Sequence, residues 1–201
     1  MFSSLTVPPE VQETVPQSSF PWVWVGFLIA IAFFLVEVLW VVLGLDEPVV
    51  NFVLTLISIA GWIYWLVCVH RIHKILEELS NGSYPNTPGE AVGKHIIPFY
   101  NLYWVFKWPA DMSNYINERG RVKMISGYVI GALLLFALLV RLVDGAVGLT
   151  WLFATTVFIV HKLKQHVNSL KEVDPSRLPP LPDPAMFQPH EPTITPPGSP
   201  Q

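Results

Sequence analysis

The residues of this chain that could do chemistry are few, and most stand in apolar surroundings. Glu37 lies in "FFLVEVLW", where it is the only charge. Holding an ionisable group inside hydrocarbon costs about 2.5–3.5 kcal/mol on insertion scales, so Glu37 is a functional candidate that needs a partner. Asn51, Thr55 and Ser58 recur at i, i+4 and i+7, a polar stripe on one helical face that could receive a carboxyl group. Arg141 is the one cation near the same end of the apolar segments, and the arrangement predicts a Glu37–Arg141 contact between helices. Such a pair would glue helices together or, in a second reading, let Glu37 couple a proton or ion to transport. Histidines collect at the other end. His70 and His73 are i, i+3 on one helix, His161 begins a matching helical exit, and His95 and His166 lie near them in the sequence plan. Converging imidazoles can ligate a metal or haem, which supports a third, redox or metal-binding reading. No His-Glu-x-x-His, phosphate-cradling glycine loop, nucleophile–base or paired-carboxylate pattern accompanies them, so neither a catalytic residue nor a cofactor is expected.

The elements that must position these residues are membrane helices. Of 201 residues, 52% are hydrophobic and only 13% charged, a membrane rather than a soluble balance. The net charge of -3 gives no ground for a nucleic-acid partner, and the single Cys68 excludes an intrachain disulfide. A hydrocarbon core about 30 Å thick needs roughly 20 helical residues. Segments 22–45, 49–69, 124–143 and 145–163 meet that length, and the links "DEP" and "DG" are turn-like, so the segments pair as two hairpins. The expected fold is all-α and integral to the membrane: four transmembrane helices as two helical hairpins, plus a Pro-broken interfacial or re-entrant segment at 87–118. Residues 1–21 form a loose Pro/Ser-rich segment, 22–171 the membrane domain and 172–201 a disordered Pro-rich tail.

Charge fixes the expected orientation. Of the 12 Lys and Arg residues, seven fall between the second and third segments and four lie at or after the end of the fourth, leaving Arg141 alone toward the opposite face. The positive-inside rule then places both termini and the central segment in the cytoplasm.

That central segment holds "TPGEAVGKHIIPFYNLYWVFKWP". Thr87 to Glu90 reads as a capping box, with Pro88 at the first helical position and Gly89 behind it. The helix should break at Pro98, resume through Asn101, Tyr103, Trp104 and Trp108, and break again at Pro109. The segment is too short to cross, and its amphipathic rings suit the headgroup level, so an interfacial anchor is expected; a re-entrant element or a lid on a partner subunit are the alternatives. The same run resembles an uncharacterised family of bacterial multi-pass membrane domains that carry Thr-Pro-Gly, Ala-Val-Gly, Ile/Val-Pro and Asn-Leu in this order. Thr87, Pro88, Gly89, Ala91, Val92, Gly93, Ile97, Pro98, Asn101 and Leu102 match. The resemblance implies the multi-span architecture and a bacterial cytoplasmic membrane, with no activity attached. The family has bulky apolar residues where Lys94 and His95 stand here, which implies a shallower first half-helix.

Small residues mark expected helix contacts: Gly26, Ala30 and Gly44 share a face with Glu37, and Gly127 and Gly131 form a small-xxx-small pair. The exits "VHRIHKIL" and "VHKLKQHV" resemble each other and would pack as two stalks. Together these features predict a non-catalytic membrane protein, a subunit, assembly factor or scaffold. Its partners would be the lipid bilayer, a membrane protein or second copy of itself, and a cytoplasmic ligand for "RLPPLP" in the tail.

Overall fold

A computed structural model describes residues 15–97, 99–118 and 122–171. Within them the chain is all-helical: α1 (Trp24–Leu43), α2 (Glu47–Leu79), α3 (Pro88–Ile96), α4 (Tyr100–Glu118), α5 (Gly127–Val143) and α6 (Gly145–Lys171). Three of these, α1, α2 and α6, are long and apolar enough to cross a membrane. The fourth expected span, α5, is a shorter apolar helix of 17 residues, about 25 Å long. Residues 172–201 and Arg119, Gly120 and Arg121 lie outside the described residues, as does Pro98.

Local chemistry sets the ends. Gly44 adopts the left-handed conformation at φ +60° and its N–H closes on Trp40 O at 3.0 Å, a glycine stop for α1. Pro48 falls in the first turn of α2, where its missing N–H costs nothing. Asp144 Oδ1 accepts from Val147 N at 2.8 Å and starts α6. The capping box at α3 forms in full: Glu90 N donates to Thr87 Oγ1 and Thr87 N donates to the Glu90 carboxylate.

Glycine notches set how the two hairpins register. A Cβ at Gly26 would lie 2.2 Å from the Phe153 ring, and one at Gly145 would lie 2.2 Å from the Phe33 ring. Gly61 of α2 meets Leu149 of α6 and Ile29 of α1. The second hairpin therefore turns level with Phe33, ten residues before the end of α1, about 15 Å short of the first hairpin's turn. Above that level Val38, Leu39, Val41, Val42, Phe52 and Leu56 are exposed.

At the opposite end α2 continues to Leu79 and α6 to Lys171, well beyond a membrane's need. Ile72, Ile75, Leu76 and Leu79 of the first stalk and Leu163 and Val167 of the second are buried in one core. The central segment folds over them. His95 meets Trp65 edge-on with ring centroids 4.8 Å apart. Because Gly61 sits beside Ile29, Trp65 stands near the first turn of α1, and so does the α3–α4 tip that follows His95. The segment is thus an inverted wedge that enters to the level where α1 begins.

Two expectations are corrected. Pro109 does not break the second half-helix; α4 runs through it to Glu118. The bond that Pro109 cannot make would end on Val105 O, and α5 packs closely there: a Cβ built on Gly131 would lie 2.9 Å from that oxygen. A Cβ built on Gly127 would lie 2.2–2.3 Å from the Pro109–Ala110 backbone, so the small-xxx-small pair of α5 accommodates the proline turn of α4. Residues 15–21, counted within the loose N-terminal segment, are a docked strap. Gln17 N and Ser18 N each donate to the Glu78 carboxylate at 2.8 Å, the Ser18 hydroxyl adds a third bond, and Tyr64 OH donates to Trp22 O at 2.7 Å.

The notches make a test. Gly127→Val drives side-chain carbon into fixed backbone and is expected to destabilise by about 1–3 kcal/mol, seen as a lower thermal unfolding midpoint in detergent. Gly93→Ala, with nothing within 4 Å, should leave the midpoint unchanged or raise it, by up to about 1 kcal/mol of helix propensity.

Candidate functional site

The polar groups of the membrane region gather where the short hairpin turns. Arg141, in the last turn of α5, extends to α2 and its Nη2 donates to Ser58 O at 2.7 Å and Ser58 Oγ at 2.5 Å. Its guanidinium carbon also lies 5.7 Å from the centre of the Trp62 ring. Beside it a cleft of about 420 Å³ is lined by Phe33, Asn51, Leu54, Thr55, Ser58, Ile59 and Arg141. Thr55 Oγ1 donates to Asn51 O at 2.7 Å.

The expected Glu37–Arg141 contact is not formed. Among the described residues the one ion pair is Lys107–Asp111. Glu37 is half-buried in a shallow groove with Val38, Val41 and Val42, on the part of α1 that rises above the second hairpin. Arg141 stands about one α1 turn or more below it and turns to α2 instead. The polar stripe is real, but its Ser58 end receives a cation from α5, not the carboxyl group of α1. Of the predicted packing residues, Gly26, Ala30, Gly127 and Gly131 are buried at contacts, whereas Asn51 and Thr55 are exposed on the cleft.

A second constellation lies under the wedge. His73 and His95 are both buried, and Trp104 and Trp108 of α4 lie against both, with ring centroids 5.4–6.4 Å apart. Each imidazole is anchored to the carbonyl one turn back: His73 Nδ1 to Val69 O at 3.0 Å and His95 Nδ1 to Ala91 O at 2.7 Å. A carbonyl only accepts, so both rings carry the proton on Nδ1 and turn a bare Nε2 lone pair inward. Among the described residues neither Nε2 atom has a hydrogen-bond partner, nor do the Trp104 and Trp108 Nε1 donors or the Tyr84 hydroxyl. An Nδ1 anchored to a carbonyl with Nε2 free is the posture of a metal-ligating histidine. However, among the described residues no group of three or more His, Cys, Asp or Glu gathers to complete such a site. His70 and His161, the other metal candidates, are exposed and do not join the layer. Sequence reasoning paired His73 with His70 on its own helix; the partner is His95, brought in by the fold of the wedge.

The aromatic residues of the wedge divide by face. Trp104 and Trp108 are buried, while Tyr103 is exposed. Lys94 reaches Asn86 Oδ1 at 2.8 Å and stands 4.4 Å from the Trp104 ring, so its charge is held by local partners. At the tip, Phe99 has a left-handed backbone at φ +61° and is 88% exposed.

No family model, curated protein or solved structure matches this chain.

Burial pushes the His95 imidazole down to about 4, against the opposing help of its bond to Ala91 O. An unfolded histidine titrates near 6.5. Between those values the unfolded chain binds the extra proton, so stability rises with pH across that window. The thermal midpoint is therefore expected to be flat above about pH 7 and to fall as pH drops from about 6.5 toward 4. His95→Gln should flatten part of that fall, measured by unfolding at a series of pH values.

Proposed function

We propose that the chain is a non-catalytic integral membrane protein that serves a membrane complex as a subunit, assembly factor or scaffold. The observation that carries this reading is the wedge tip. Ile96, Ile97, Phe99, Leu102 and Tyr103 are exposed together there, above a rigid base in which Trp104 and Trp108 are packed on His73 and His95. A contiguous exposed apolar patch on an ordered base marks an interaction site, and at the level of the first turn of α1 it can meet the flank of a neighbouring membrane helix.

In this reading the four apolar helices form two hairpins. The α1–α2 pair crosses the bilayer, and α5–α6 enters beside it and turns near mid-depth. The excess of Lys and Arg on the stalk side supports a cytoplasmic location for the wedge, the stalks and both termini. The resemblance of the Thr87–Leu102 run to bacterial domains supports a bacterial inner membrane. The neighbour at the tip is a membrane protein or a second copy, and the Pro-rich tail is a tether for a cytoplasmic partner.

A photo-activatable cross-linker at position 99, in native membranes, is expected to capture one protein of defined mass. Phe99→Ser with Tyr103→Ser should abolish co-purification of that protein and leave the thermal midpoint within a few degrees. Adducts with lipid alone would reduce the tip to a passive anchor and reject the proposal. Trp104 is unsuited to this test, because Trp104→Ala empties the core and is expected to cost about 3–5 kcal/mol.

A further inference from the structure

The short second hairpin carries a cation to a depth where hydrocarbon offers it nothing. Arg141 uses its Nη2 group on Ser58. A guanidinium has five N–H donors, so those on Nε and Nη1 remain. The Ser58 hydroxyl accepts from Arg141 and keeps its own proton to donate, and the Asn51 amide adds donors along the same wall. Among the described residues no carboxylate pairs with Arg141: Asp144 Oδ1 accepts from Val147 N, and Glu37 lies in its valine groove. The remaining walls of the cleft are apolar, with Leu54, Ile59 and Leu142 beside the polar floor.

We infer that this cleft binds the anionic phosphate headgroup of a membrane lipid from the leaflet on the turn side. Three observations converge on that chemistry. The donors at the floor suit a phosphate, for which a planar guanidinium offers paired N–H groups. The apolar walls suit the glycerol and first methylenes of an acyl chain. The unequal hairpins supply the access: beside α1 and α2 the hydrocarbon is full-length, but over the α5–α6 turn it is about 15 Å shorter. A bilayer meets a short hydrophobic segment by thinning, which draws headgroups inward to the level of Arg141.

The purified full-length protein in mild detergent provides the test, read by native mass spectrometry and by thermal unfolding. Phosphatidylglycerol is expected to remain bound at about one per chain and to raise the unfolding midpoint by several degrees. Diacylglycerol, which has the chains and no phosphate, should do neither. Arg141→Gln should lower phosphatidylglycerol retention at least tenfold. Because that variant also cuts the bond to Ser58, Asn51→Asp gives an independent check at an exposed position. It places a carboxylate in the cleft and should exclude the lipid with the fold intact. Full retention in Asn51→Asp, or equal retention of diacylglycerol, would overturn the inference. So would inorganic phosphate that reproduces the whole thermal shift by itself, since the cleft would then be a site for a free anion.

Discussion

The molecule depends on two phenylalanine rings set into two glycine notches. Phe153 of α6 fills the face of Gly26, and Phe33 of α1 fills the face of Gly145. With no hydrophobic driving force between helices in lipid, close packing at small residues is what holds them in register. Here it holds the turn of the second hairpin about 15 Å below that of the first. That offset puts Arg141 opposite Ser58 and leaves Glu37 above it, out of reach. It also pushes α5 down beside α4, where Gly127 and Gly131 receive the backbone around Pro109.

The wedge and the cleft use polar groups in different ways. Under the wedge, two imidazoles are locked by backbone carbonyls and sealed beneath indole rings, and burial holds His95 neutral at physiological pH. That layer is a structural platform, and its stiffness keeps the strained Phe99 turn exposed at the edge of the apolar layer. In the cleft a cation remains charged, with part of its donor set satisfied by one serine and the rest turned to an open space. One arrangement suppresses ionisation, and the other keeps a charge available.

What could be read from the sequence was local. The capping box at Thr87, the hairpin links and the interruption between Ile96 and Tyr100 follow from single residues and their near neighbours, whereas Gly44, read as a packing residue, ends α1 with nothing within 4 Å of an added Cβ. The depth of the wedge did not, because it depends on His95 finding Trp65 across two helices. Pro109 shows the same limit: alone it predicts a break, yet the neighbouring Gly131 makes room for the turn it distorts. The Glu37–Arg141 expectation failed for a related reason. It took the two hairpins to be of equal height, and nothing in either hairpin's own pattern records the offset. His95 was visible as a histidine, but its pairing with His73 required the return path of α4.

The notches also impose an order on biosynthesis. Of the six described helices α6 leaves the ribosome last; it packs on α1, α2 and α5, and its Phe153 fills a notch made more than a hundred residues earlier. Until α6 arrives, Gly26 faces lipid and the first hairpin is held at its base by the Glu78 strap, Gln17 and Ser18 folded onto the end of α2. The first hairpin can thus be inserted and clasped as a finished unit, while the offset between hairpins is decided only when α6 locks in. Assembly is two-stage by construction, with insertion preceding the step that gives the molecule its uneven profile.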